Sequence, residues 1–133
     1  MANILIADDD PGVVEVMAKI LEKAGHVVSK SGSGAETFQA LGIRPLDETA
    51  FLPDLIILDI MMPRSDGYTV GTMIRNNPRT RDIPILVVSA LRELSRLFTA
   101  TVPVQGFLTK PFVPQELLDR IAQILASRQA SRA

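Results

Sequence analysis

Five short apolar runs, Ile4 to Ala7, Val27-Val28, Leu55 to Leu58, Ile85 to Val88 and Phe107-Leu108, recur along the chain, with helical patterns between them. They are too short for buried helices and rich in β-branched residues, so each reads as a strand. Strands that are apolar on both sides need cover on both faces, and strands separated by helices are joined by crossovers. The alternation therefore predicts an α/β fold: a parallel sheet with helices on both faces.

The helices can be placed by their ends. Asp10-Pro11 offers an N-cap followed by a proline suited to a first helical turn. Val13, Val14, Met17, Ile20, Leu21 and Ala24 then form one apolar stripe, and Gly25 ends it. A second helix is predicted over about 35–41 and a third over about 67–76, stopped near Pro78, with Asp66 as its cap. Leu117, Leu118, Ile121, Ile124 and Leu125 share one face of a last helix expected over about 114–127.

At 133 residues the chain holds one domain. It is read as 1–127, with residues 128–133 as a flexible tail or the start of a linker. A net charge of -1 gives no electrostatic reason to expect direct nucleic-acid binding. The absence of cysteine excludes disulfides and thiolate metal sites. No apolar run approaches the ~20 residues that span a bilayer, and no basic segment precedes the first strand. The expectation is a cytoplasmic protein with no membrane partner.

The polar residues of interest fall at strand ends. Asp8 and Asp9 follow the first strand, Asp59 the third, Ser89 the fourth and Lys110 the fifth. Open α/β sheets bind ligands beyond the carboxyl ends of their strands, where strand order reverses. A 2-1-3-4-5 order, the doubly wound flavodoxin-like arrangement, would bring Asp8, Asp9 and Asp59 together. Three adjacent carboxylates repel, and a divalent cation resolves that repulsion. Oxygen ligands and an approaching phosphate suit Mg2+ better than zinc. Lys110 adds a compact positive charge. A carboxylate can attack a phosphoryl group, which makes Asp59 the candidate nucleophile. Lys110 and the metal would stabilise the equatorial oxygens, and Ser89 with Lys110 would bond them in the product. Asp10 reads as a cap rather than a ligand. His26, the single histidine, reads as a surface or satisfied side chain.

The segments ILIADDD, DLIILDIMMPRSDG, PILVVSA and FLTKPF resemble, in order and over nearly the whole chain, the signature blocks of bacterial response-regulator receiver domains. That resemblance implies a phosphoacceptor switch of a two-component system, with Asp59 taking a phosphoryl group from a sensor histidine kinase or phosphotransfer protein. It implies Asp9 as a direct magnesium ligand, Asp8 as a ligand through water and the Met61 carbonyl as a further ligand. Ser89 and Lys110 fall at the phosphate-binding positions, and Phe107 at the switch aromatic that turns inward as Ser89 moves. The Lys110-Pro111 bond is expected to be cis. The output would pass to a downstream protein or an output domain outside this sequence, and homodimers occur in the family. Such a domain is regulatory, catalysing only its own phosphorylation and dephosphorylation.

Two other classes are weighed against it. A haloacid-dehalogenase-type phosphatase could use Asp8 and Asp10, but would leave Asp59 unused. An interaction-only pseudo-receiver would not need the full set of acidic, hydroxyl and lysine residues.

Three segments depart from the family pattern. Leu91, Leu94, Leu97 and Phe98 predict a short, marginal helix before Thr99 to Pro103, which is poor helix sequence. Residues 42–53 form a long connection, expected at the sheet end away from Asp59, in which Leu46, Phe51 and Leu52 could pack locally. Met61 and Leu91 are apolar where the family lines the path of hydrolytic water, which predicts slow self-dephosphorylation.

Overall fold

The first helix, α1, spans Pro11–Lys23 because both of its ends are chemically specified. The Asp10 carboxylate accepts from the amides of Gly12 at 2.9 Å and Val13 at 3.3 Å. At the other end Gly25 has φ +95°, and the amides of Gly25 and His26 close onto the carbonyls of Glu22 and Leu21. This is the Schellman arrangement, which needs a left-handed residue at the position Gly25 holds. The chain is described as a computed structural model covering residues 2–59, 67–90 and 102–132.

The strands are β1 (Asn3–Ala7), β2 (Val27–Ser31), β3 (Leu55–Leu58), β4 (Ile85–Ser89) and β5 (Gly106–Thr109). All pair in parallel, in the order β2-β1-β3-β4-β5. With α1, the helices of the described residues are α2 (Gly34–Ala40), α3 (Gly67–Asn76) and α4 (Pro114–Arg132). The doubly wound α/β fold is the one expected. Strand side chains alternate between two cores. Ile4, Ile6, Leu55, Ile57, Leu86 and Val88 pack with α1 and α4, while Leu5, Ile56, Leu58, Ile85 and Val87 pack with α2 and α3.

Several local expectations need correction. Ala24 is exposed at the end of α1, whereas Ala18, absent from the expected stripe, is buried. Residues 128–132, expected as part of a flexible tail or the start of a linker, continue α4 as far as Arg132. Arg128 contributes a hydrogen bond to the Asp54 carbonyl. Leu46 and Phe51 do not pack locally: they are 69% and 77% exposed, and Leu52 alone of the three rests against the core. The 42–53 connection is held instead by polar contacts, with Arg79 donating to the carbonyls of Asp47 and Ala50, both at 3.0 Å. Gly42, at φ +71°, cannot be replaced cheaply, since a Cβ there would strike the Asp47 carbonyl. The connection leads into Asp54, whose amide bonds Asn3, so it lies at the amino ends of β1 and β3 as expected.

Arg75 ties α3 to the approach to β5. Its guanidinium donates to the carbonyls of Pro103, Arg81 and Ile83 and to the Gln105 side chain, at 2.7–2.9 Å. The Asp66 cap and the short helix expected from Leu91 to Phe98 lie outside the described residues, as do Met61 and Leu91.

Candidate functional site

The carboxyl ends of β1 and β3 are neighbours because Ala7 registers against Leu58. The residues that follow therefore meet. Asp59 is tied down by its amide, which donates to the Ala7 carbonyl at 2.9 Å. Asp8 is tied by its amide to the Ser31 carbonyl at 3.1 Å. Asp8 and Asp59 are buried, at 2% and 6% exposure, and Asp9 is half-buried. Ligand oxygens of all three lie within 4.8 Å of one another.

Lys110 reaches the same point from the end of β5. Its ammonium donates to Asp8 Oδ2 at 2.8 Å and to Asp59 Oδ2 at 3.1 Å. Partial burial alone would lower the Lys110 pKa. The hydrogen bond that Lys110 donates to Asp8, with the charge of Asp59 and the hydrogen bond donated to it, outweighs burial and holds the pKa above the ordinary lysine value. The ammonium is thus fixed in its charged form. The Lys110-Pro111 peptide bond is cis.

Ser89 is fully buried at the end of β4, and its carbonyl accepts from the Lys110 amide at 2.9 Å. The adjacent strand end is thereby coupled to the lysine. Phe107 lies on β5, two residues after Gln105, and is 38% exposed. Asp10 stays out of the cluster, its carboxylate engaged as the α1 cap. The Met61 carbonyl, expected as a ligand, lies outside the described residues.

The donor set fits a hard divalent cation: carboxylate oxygens, no sulfur or imidazole, and more negative charge than one ammonium neutralises. Sequence reasoning missed the backbone groups that anchor these residues, above all the Ser31 carbonyl that accepts from the Asp8 amide. A serine at a strand end carries no signal distinguishing it from a surface residue.

The chain matches the response regulator receiver domain family over residues 4–122. It is 38% identical over 132 residues to the DNA-binding dual master transcriptional regulator RpaA of Synechocystis, covering 94% of this chain and 49% of that protein. Among solved structures, a putative response regulator from Chloroflexus aurantiacus superposes with a TM-score of 0.82 at 36% identity, covering 94% of this chain and 98% of that one. The chemotaxis protein CheY4 of Vibrio cholerae gives a TM-score of 0.80 at 26% identity, covering 93% and 98%. The chain spans about half the length of the curated relatives it matches first. Among the described residues, no helix is long and apolar enough to cross a membrane.

Proposed function

The chain belongs to the response regulator receiver domain family, and from that premise we propose that it is a cytoplasmic phosphoacceptor switch whose acceptor is Asp59. The observation that carries this reading is the pair of contacts from the Lys110 ammonium to Asp8 and Asp59 beside the half-buried Asp9. One cation spans two buried acids, and the remaining negative charge calls for a second, divalent cation.

In this reading Asp8, Asp9 and Asp59, with the Met61 carbonyl, hold Mg2+. When bound, the ion neutralises the carboxylates and the charge of an incoming phosphoryl group. The chain's own residues do the rest. Asp59, fixed through its amide, presents a carboxylate oxygen that forms the new P–O bond as the bond from phosphorus to the donor breaks. The donor, a histidine kinase or phosphotransfer protein, leaves with its electron pair and takes up a proton. Lys110, held charged, turns from Asp59 toward the phosphoryl oxygens, and the Ser89 hydroxyl donates to another. The same groups catalyse phosphorylation and hydrolysis of the switch itself.

Phosphorylation signals by a change of shape. A switch driven from mostly off to mostly on needs ~5.5 kcal/mol of differential interaction, and new charge-assisted bonds from Ser89 and Lys110 are its source. Phe107, exposed at 38%, turns inward as Ser89 moves. The output goes to a partner protein or to a further domain. RpaA, similar to this chain over half its length, is by name DNA-binding.

The dehalogenase-type phosphatase reading is not favoured, because Asp10 is engaged as a helix cap and Asp59 joins the cluster. Incubation with a small phosphodonor and magnesium tests the choice. A switch takes up one phosphoryl group per chain, whereas a phosphatase turns the donor over many times without retaining label.

A further inference from the structure

Two buried hydroxyls lie behind the carboxylates, on residues to which the proposed chemistry gives no task. Ser31 ends β2 and is 3% exposed; Thr37 lies in α2 and is fully buried. Their hydroxyl oxygens are 2.7 Å apart. Thr37 Oγ1 donates to the Ser33 carbonyl at 2.8 Å. A hydroxyl carries one proton, so the direction of the pair is fixed: Ser31 donates to Thr37, and Thr37 to Ser33.

The same Ser31 supplies, through its carbonyl, the anchor for the Asp8 amide at 3.1 Å. The rest of Asp8 is equally held, with Oδ1 accepting from the Asp10 amide at 3.0 Å and Oδ2 from Lys110 at 2.8 Å. The turn on which Thr37 sits is itself braced. Ser33 accepts from the Glu36 amide at 3.1 Å, and the Glu36 carboxylate accepts from the Gly32 amide at 3.2 Å. This reciprocal cap stiffens the link between β2 and α2. A rigid line of bonds therefore runs from α2 through Thr37 and Ser31 to the backbone of Asp8.

We propose that the Thr37–Ser31 hydroxyl pair is a positioning device for the cation site: it sets the end of β2 against α2 and, through the Ser31 carbonyl, the backbone from which Asp8 and Asp9 project. Neither residue is a ligand. An apolar pair of the same volume would fill the space but impose no direction on the strand end. Magnesium is demanding here, since it requires near-octahedral geometry at about 2.0–2.1 Å, and outer-shell partners that orient its ligands are worth about 10–100-fold in affinity. The inference rests on reading Asp8, Asp9 and Asp59 as the magnesium site.

The test compares Thr37→Val, Thr37→Ser and Thr80→Val with the unaltered chain. Thr80 is a control of the same kind: fully buried, with its hydroxyl donating to the Ile74 carbonyl at 2.7 Å, but away from the acids. Two quantities are read: the magnesium dissociation constant by calorimetry, and the exchange rate of the Asp8 amide proton in metal-free protein by NMR. Thr37→Val is expected to weaken magnesium about tenfold, at the low end for an outer-shell partner, and to speed exchange at Asp8. Thr37→Ser restores both, and Thr80→Val changes neither. Wild-type affinity in Thr37→Val, or equal weakening by Thr37→Val and Thr80→Val, overturns the inference while leaving the site reading intact. An unaltered chain that binds no magnesium overturns the site reading and the inference with it.

Discussion

Lys110 Nζ lies 3.1 Å from Asp59 Oδ2, joining residues 51 positions apart at the ends of β5 and β3. The same ammonium reaches Asp8 Oδ2 at 2.8 Å. The resting site is thus braced by the lysine that the proposed reaction later turns toward phosphate.

Removing that brace leaves buried carboxylates without their cation. Lys110→Ala should destabilise the metal-free chain by about 3 kcal/mol, the low end for orphaning a buried charge, because the ammonium keeps some access to water. Urea denaturation at neutral pH measures it. Saturating magnesium should recover part of the loss. An unchanged midpoint in metal-free buffer would mean that the carboxylates are not under strain.

Asp9→Asn should act in the opposite direction. It removes one of three mutually repelling charges and should stabilise the metal-free chain by about 1 kcal/mol, the scale of a partly exposed charge interaction. The cost appears on adding magnesium. A hundredfold excess of ligand over its dissociation constant stabilises a chain that binds it by about 2.7 kcal/mol, and the variant should lose most of that gain. A chelator-insensitive melting temperature in the unaltered chain would contradict the account of the cluster.

The pH dependence follows from two shifts of different kinds. Lys110 titrates higher in the fold than in the unfolded chain, so its contribution is complete at neutral pH and is lost only as alkaline pH rises through the raised value. His26 is the reverse case. Burial, and then the positive amino terminus, lower its pKa, and its Nδ1 accepts from the Ala2 amide at 3.2 Å. The unfolded chain therefore binds the proton more readily, and stability should fall as pH drops through the ordinary histidine value of about 6.5. His26→Gln keeps an acceptor without a titrating group. Its stability should decline less than that of the unaltered chain between about pH 8 and pH 5, and parallel curves would rule His26 out.

Phe107 offers a direct view of switching. The sequence contains no tryptophan, so Phe107→Trp introduces a single reporter at a position 38% exposed. Beryllofluoride with magnesium should shift its emission to shorter wavelength as the ring leaves water. An emission spectrum identical in both states would dissociate this aromatic from the switch.

The fold was legible because its signals are local. The apolar runs, the Asp10 cap and Gly25 each act within a few residues. Convergence of Asp8, Asp59 and Lys110 was legible through topology, since a 2-1-3-4-5 sheet leaves few places for strand ends to go. What could not be read depends on distant partners. Leu46 and Phe51 read as packing residues by their apolar character, but Arg79, some thirty positions later, holds their loop by its carbonyls. Residues 128–132 lack an apolar period, yet α4 continues through them as good helix formers. Ser31 and Thr37 gain meaning only when β2 and α2 bring their hydroxyls to 2.7 Å.

The central claim is that Asp59 receives the phosphoryl group. The most direct measurement is to label the chain with a small phosphodonor in magnesium, trap the acyl phosphate by borohydride reduction, and locate the modified residue by peptide mass spectrometry. Modification of Asp59, absent when the donor or magnesium is omitted and absent in Asp59→Asn, is the predicted result. Label on Asp8 or Asp9, or undiminished labelling of Asp59→Asn, would contradict it.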